Sequence, residues 1–260
     1  MAPSEILITA CRRAASALAC LACLTLAGPV AAVTIYDPAL GLPGPQGWSA
    51  LSNGLPGTEV ISAGHYLLDT TGAGVSSYGR GRVNATPLDT NAGFTLTFDL
   101  RVLSESHSSA NRAGFSIVMV GSDPTHALEL AFWTNEVFTY NYVAADPVKF
   151  VHGAGAVFDT TASFQQYTLT VQNQNYVLSA GAGAGAATLI TGALKDYTGQ
   201  GPPYTLPNFL FFGDDTSRGA ASVELGAIVL SAVPELPRLP MMLLGLGALA
   251  LMFKRRQRLR

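Results

Sequence analysis

The sequence predicts an all-β fold, a single antiparallel β-sandwich, on three observations. First, Phe94, Leu96, Phe98, Leu100 and Val102 alternate with Thr95, Thr97, Asp99 and Arg101. That period of two marks a strand with one face in the core and one in water. Second, the runs from Phe115 to Val120 and from Phe209 to Phe212 are apolar on both faces. Such strands belong in a sheet covered on both sides. Third, Gly, Pro, Asn and Asp interrupt the chain at short intervals, with no long amphipathic helix between them.

In chain order, Gly41-Leu42-Pro43-Gly44-Pro45 reads as a rigid turn region. The strand from Phe94 to Val102 precedes a polar loop from Ser104 to Asn111. Leu128, Leu130 and Phe132 then alternate with Glu129 and Ala131, and Tyr167, Leu169 and Val171 alternate with Thr168, Thr170 and Gln172. Asn173-Gln174-Asn175 has the composition of a hairpin turn. From Ala180 to Ala187, Ala and Gly alternate, which suits a flat strand or a mobile loop. Val223 to Leu230 is the closing strand.

The two ends are not part of this body. Arg12 and Arg13 precede an uncharged apolar run from Ala14 to Ala27. The run is shorter than the roughly 20 residues of a membrane span. Val30-Ala31-Ala32 then supplies small residues for signal peptidase. Residues 1–32 are therefore expected to be a signal peptide, cleaved after Ala32. At the other end, Val233-Pro234-Glu235-Leu236-Pro237 leads into an apolar run, and Lys254, Arg255, Arg256 and Arg258 follow. The apolar stretch from Met241 to Phe253 has 13 residues, short for a stable span. The basic tip would hold that end in the cytoplasm.

This tail resembles the PEP-CTERM sorting signal of Gram-negative bacteria that make exopolysaccharide. Val233, Pro234 and Glu235 match its motif, and Leu236 stands where the family usually has Pro. The resemblance implies retention at the inner membrane through a C-terminal hydrophobic helix. Processing by an exosortase-like enzyme and release to the cell surface or matrix would follow. An ordinary tail anchor that is never cut is the other reading. The expected organisation is thus 1–32 signal peptide, 33–232 sandwich domain and 233–260 sorting segment.

Removing the ends changes the charge. The whole chain is −2, but residues 33–237 hold 7 Lys and Arg against 16 Asp and Glu, a net of −9. An acidic body repels phosphate backbones, which argues against a nucleic-acid partner. All three cysteines, Cys11, Cys20 and Cys23, lie in the N-terminal segment. The mature body would hold no disulfide, thiolate metal site or thiol nucleophile.

The runs Gly114 to Val120, Leu128 to Trp133 and Tyr167 to Val171 resemble paired core strands of the concanavalin A-like lectin and glucanase sandwich, a jelly roll. Phe211 to Thr216 with Val223 to Ile228 resembles its last two strands. An immunoglobulin-like sandwich is the alternative, although the body is about twice the usual length for one.

That resemblance implies a test for catalysis. The family's hydrolases place two Glu and an Asp on one face of a strand, as Glu-x-Asp-x-x-Glu or a near variant. Here Glu129 is followed by Ala131 in the place of the Asp. The next Glu is Glu136, which strand alternation is expected to put on the opposite face. No catalytic residue is assigned. His65, His107, His126 and His152 show no paired metal-ligand spacing and read as solvated loop residues. Asp214-Asp215-Thr216 offers oxygen ligands for calcium or a plain turn, and the turn is preferred. No metal and no cofactor are expected.

Sugar binding needs aromatic faces beside polar groups. Trp133, Asn135, Tyr140 and Tyr142 lie in one segment with that composition, a hairpin with Asn135-Glu136 near its turn. The competing reading is that these aromatics fill the core. Arg80 and Arg82 are expected to pair with Asp89 and Asp99 at the surface. The function expected is an exported, non-enzymatic protein of the cell surface or exopolysaccharide matrix, with weak glycan affinity. A carbohydrate-active enzyme with an atypical site and an adhesive protein that binds other proteins are the alternatives.

Mass spectrometry of the mature protein from its native host checks the two ends. The expected mature N-terminus is Val33, with the chain shortened near Glu235. An intact Arg260 in every cell fraction would exclude sorting by cleavage.

Overall fold

The structure is a computed structural model whose described residues are 32–145 and 149–233. The apolar run before Ala32 and the segment from Pro234 to Arg260, with the signal and sorting features expected there, lie outside them.

The described residues form two antiparallel sheets packed face to face. One sheet runs in the order β13 (Ala187–Ala193), β12 (Asn175–Ala180), β11 (Gln165–Gln172), β6 (Phe94–His107), β15 (Gly219–Ala232), β4 (His65–Asp69) and β3 (Thr58–Ser62). A further strand, β1 (Val33–Tyr36), pairs with β15 beyond the end of β4. The other sheet runs β10 (Phe150–Val157), β9 (Glu136–Tyr142), β8 (Ala127–Phe132), β7 (Ser116–Val120), β14 (Phe209–Gly213), β5 (Tyr78–Val83) and β2 (Ser49–Ser52). We call them the first and second sheet. Strand numbers follow the chain, so both sheets are built from strands distant in sequence.

The first sheet is one-sided, as alternation requires. Along β6, Phe94, Leu96, Phe98, Leu100 and Val102 are buried, while Thr95, Thr97, Asp99 and Arg101 are only half-buried. The second sheet is buried on both faces: every residue of β7, β8 and β14 is buried. Ile117, Met119, Leu128, Leu130, Leu210 and Phe212 face the first sheet in one core. Val118, Val120, Ala127, Phe209 and Phe211 form a separate cluster on the outer face.

Aromatic rings hold the sheets together. Phe98 stacks on Tyr167 at 5.4 Å, and both meet Phe132 edge-on. Tyr36, Tyr66 and Trp48 surround Phe212. Beside them an ion pair crosses between sheets, from Arg80 of β5 to Glu59 of β3, and Tyr66 donates its hydroxyl to the same carboxylate. These donors hold the Glu59 carboxyl below its usual range although burial opposes them.

Several local expectations change. Arg80 pairs with Glu59, not with a surface Asp. Arg82 donates to the Ile35 carbonyl at 2.8 Å and lies over the Trp48 ring. Asp89 instead accepts from the backbone of Asn91 and Ala92 in its own turn. The polar run after Val102 is not wholly a loop: β6 continues to His107 because Gly219 to Ser222 pair alongside it. Asn173 and Gln174 form the expected turn, with φ of 50° and 60°, which fits the right-handed twist of a hairpin. The Ala-Gly stretch is a tight connection with a 3-10 turn at Gly183–Gly185. Among the described residues no helix is long and apolar enough to cross a membrane.

Phe98 is 1% exposed, so Phe98→Ala removes a ring from the centre of this core. Denaturant unfolding should show a loss of about 3–5 kcal/mol. A loss under about 1 kcal/mol would mean that the two sheets do not pack through this ring.

Candidate functional site

The second sheet's outer face carries the chemistry. One row of cross-strand neighbours runs Gly81, Phe211, Val118 and Glu129. Three of these positions are apolar or glycine, and the fourth is a carboxylic acid. The two apolar rings of β14 lie toward β5, which is why β5 carries glycines there. A Cβ at Gly81 would stand 2.8 Å from the Phe209 ring, and one at Gly79 would strike Phe211.

The connection between β13 and β14 covers part of this face. Tyr197 reaches down and donates its hydroxyl to the Tyr140 carbonyl at 2.7 Å. Tyr204 donates to Glu129 Oε2 at 2.6 Å. Phe150 of β10 packs against both of these phenol rings. The cover is incomplete, and between it and the β2 side lies a cleft of about 750 Å³. Phe150, Tyr204 and Leu206 form one wall, Leu51 to Asn53 the other, and Val118, Phe209 and Phe211 the apolar floor.

Polar groups gather at one end: Glu129, Arg112, Asp214 and Asp215. Glu129 is 1% exposed. The Tyr204 hydroxyl lies 2.6 Å from Glu129 Oε2 and 3.4 Å from Asp215 Oδ2, so one phenol joins the two carboxyls. Burial first, then the neighbouring Asp215, raises the Glu129 carboxyl well above the usual range and so favours its neutral form. Asp214 is buried too, with Oδ1 accepting from the Thr216 N–H, and burial pushes its carboxyl up to about 8. Arg112 donates to the Asn111 and Phe150 carbonyls and lies over the rings of Tyr140 and Phe150.

Of the four expected sugar-contact residues, Tyr140 alone lines the cleft, although Trp133 and Tyr140 share one aromatic cluster on the outer face. Tyr140 is itself 1% exposed, and its hydroxyl accepts from the Ala113 N–H. Tyr142 packs against Phe150. Trp133 lies outside the cleft lining, against Phe138 at 4.8 Å, stacked on His107 at 4.4 Å and donating to the Arg112 carbonyl at 2.7 Å. Asn135 is exposed at the hairpin turn, where its carbonyl accepts from Phe158.

Glu136 shares the outer face with Phe138 and Tyr140, because alternation restarts after the turn and does not carry across it. It pairs with His152 at 3.1 Å rather than lining the cleft. Three of the four histidines are strand residues against aromatic rings: His65 on Phe164, His107 on Trp133 and His152 on Phe138. Among the described residues, no group of three or more His, Cys, Asp or Glu is placed to hold a metal ion.

The sandwich has solved counterparts. A carbohydrate esterase, vb_24B_21 of the Shiga toxin-encoding bacteriophage phi24B, is similar over 78% of this chain and 99% of its own, at 15% identity and a TM-score of 0.52. Alginate lyase A1-II' is similar over 67% of this chain and 83% of its own, at 13% identity and a TM-score of 0.43. The VIP36 exoplasmic domain in its Ca2+-bound form covers 77% of this chain and 90% of its own, at 10% identity and a TM-score of 0.45. At these identities the likeness is one of fold. No protein-family model matches the sequence, and no curated protein matches it.

Phe150, Arg112 and Tyr204 were not singled out as binding residues from sequence, and Asp215 entered only as a candidate calcium ligand in a turn. The available signal was Glu129, the single charge inside the run Ala127–Phe132.

Asp214 gives a pH prediction. Its carboxyl binds a proton more tightly in the folded chain than in the unfolded chain, where the pKa is about 3.9. Between that value and about 8 the native state holds more protons, so stability falls as pH rises across this window. Asp214→Asn keeps an acceptor for Thr216 and removes the titration. Its thermal midpoint should fall less than the wild type's between about pH 5 and pH 9. Parallel curves for the two proteins would show that Asp214 does not carry this effect.

Proposed function

We propose that this chain is an exported, non-enzymatic protein of the cell surface or exopolysaccharide matrix that binds glycan in the outer-face cleft. One observation carries the reading: aromatic rings and carboxyl groups converge in one cleft on the outer face of the second sheet. Sugar rings present apolar C–H faces and polar edges, so they fit sites that combine aromatic surface with hydrogen-bonding side chains. Phe150 and Tyr204 supply the apolar surface, and Asp215 and Asn53 the polar contacts. Export rests on the N-terminal segment, and sorting by an exosortase-like enzyme on the Val233-Pro234-Glu235 tail.

The carbohydrate-enzyme reading has its own observation, the Glu129–Asp215 pair. Retaining hydrolysis places two carboxyls about 5–5.5 Å apart with the reacting carbon between them. Here Glu129 is nearly inaccessible, and its Oε2 is taken up by the Tyr204 hydroxyl. Those facts support binding without turnover.

Affinity electrophoresis of the purified full-length chain against soluble polysaccharides tests the proposal. Retardation is expected, and Phe150→Ala should weaken it by about tenfold, or 1.4 kcal/mol. Retention on no polysaccharide would overturn glycan binding. Reducing-sugar release that Glu129→Gln abolishes would instead establish an enzyme.

A further inference from the structure

The cleft changes character along strand β14. Phe209 and Phe211 belong to its outer apolar face, and Asp214 and Asp215 follow directly where the strand ends. From Phe209 to Gly213 the strand rises about 14 Å, so the apolar end and the acidic end stand well apart. Asn53 and Ser77 lie on the acidic side: the Asn53 N–H donates to the Ser77 carbonyl, and the neighbouring Tyr78 carbonyl accepts from Asp214. Asp215 and Asn53 are open enough to meet a ligand there, and their side-chain oxygens accept from sugar hydroxyls.

The apolar end is built differently. Pro202, Pro203 and Leu206 cover it. The prolines have no N–H to offer. The Tyr204 and Leu206 N–H groups are taken by the Gly201 and Pro203 carbonyls. On the opposite wall Leu51 leans over Gly81 toward Phe209, and a Cβ at Gly81 would stand 2.8 Å from both side chains. Phe209 and Phe211 are only 4% and 6% exposed, so neither offers an open ring face for stacking. Leu51 and Leu206 are 37% and 38% exposed. Two accessible leucines thus flank a narrow apolar strip whose side chains carry no hydrogen-bonding group.

An unsubstituted sugar suits that strip poorly. Its ring carbons carry hydroxyls, and a hydroxyl buried without a partner costs free energy. An alkyl chain alone would fill the strip but meet the carboxyl end with nothing to donate. A sugar carrying an acyl ester satisfies both ends. Acylation removes one hydroxyl donor and puts a methyl or short alkyl group in its place.

We propose that the cleft recognises O-acylated saccharides, with the sugar at the Asp215 end and the acyl group between Leu51 and Leu206. The inference rests on the glycan-binding reading and names the ligand class for it. Leu51 and Leu206 are the specificity-determining residues. Burial of the acyl group against them, Phe209 and Phe211 supplies the preference, because one extra alkyl carbon in an apolar pocket is worth about tenfold or more.

Isothermal titration of the purified full-length chain with matched oligosaccharides tests this. The probes are O-acetylated glucomannan and xylan fragments and the same fragments after deacetylation. For a backbone that binds, the acetylated form should bind at least about tenfold more tightly. Leu51→Asn and Leu206→Asn should each cut that preference to under about threefold. Both positions are exposed, so the thermal midpoint of each variant should stay close to that of the wild type. Saturation-transfer NMR reads the contact itself. The acetyl methyl should receive the strongest transfer in the wild type and lose it in Leu51→Asn, which a merely structural role would not cause.

Equal affinity for the two forms, or a preference that survives both substitutions, would overturn the acyl assignment and leave glycan binding standing. Binding of neither form of either backbone would overturn the glycan-binding reading and this inference with it.

Discussion

The outer face of the second sheet is apolar, and the rest of the candidate site follows from having to cover it. β7, β8 and β14 bury both faces, so the sandwich core alone cannot satisfy them. An uncovered face bearing Val118, Val120, Phe209 and Phe211 would be a large exposed apolar patch. The connection after β13 supplies the cover, with Tyr197 and Tyr204 as its two pegs. Both hydroxyls act as donors, one to a backbone carbonyl and one to Glu129. The cleft is the part of the face that this short cover and β2 leave open.

Glu129 would be an expensive occupant of such a face if it were charged. An ionised carboxylate taken out of water without a cation costs several kcal/mol. The cheaper solution is a neutral acid with its oxygens bonded, and the geometry has that form. Tyr204 therefore does two things at once: it anchors the cover and satisfies the buried acid. Because burial also holds the Tyr197 and Tyr204 phenols protonated, the pegs stay donors where the carboxyls change state. The cover and the polar end of the cleft thus respond differently to pH.

Most of the fold was legible in the sequence, and the site was not. The one-sided strand from Phe94 and the two-sided runs at Phe115 and Phe209 are local patterns of side-chain period, and the structure reproduces them. The Asn173-Gln174 turn is local as well. Errors arose where contacts are long-range. Arg80 meets Glu59 only because β5 and β3 belong to different sheets that close on each other. β6 outruns its apolar stretch only because β15 is equally long. Glu136 was placed on the wrong face because alternation was carried across a turn. The cleft joins β2, β10, the segment before β7 and two connections, and no window of sequence contains them all.

The backbone after β14 shows how strand geometry delivers the acids to that cleft. Gly213 has φ of 144°, a conformation that a side chain rarely adopts, and a Cβ there would collide with Gly79. Only glycine lets the chain press against β5 at this point and then turn out of the sheet. Asp214 is drawn inward beneath the cleft, and Asp215 comes level with Glu129. A sequence reading sees Asp214-Asp215-Thr216 as a polar turn, because exposed turns are where adjacent acids are usually found. Here the kink puts that turn against a buried acid on the neighbouring strands. Two carboxyls from distant parts of the chain are thereby brought to one phenol hydroxyl, that of Tyr204.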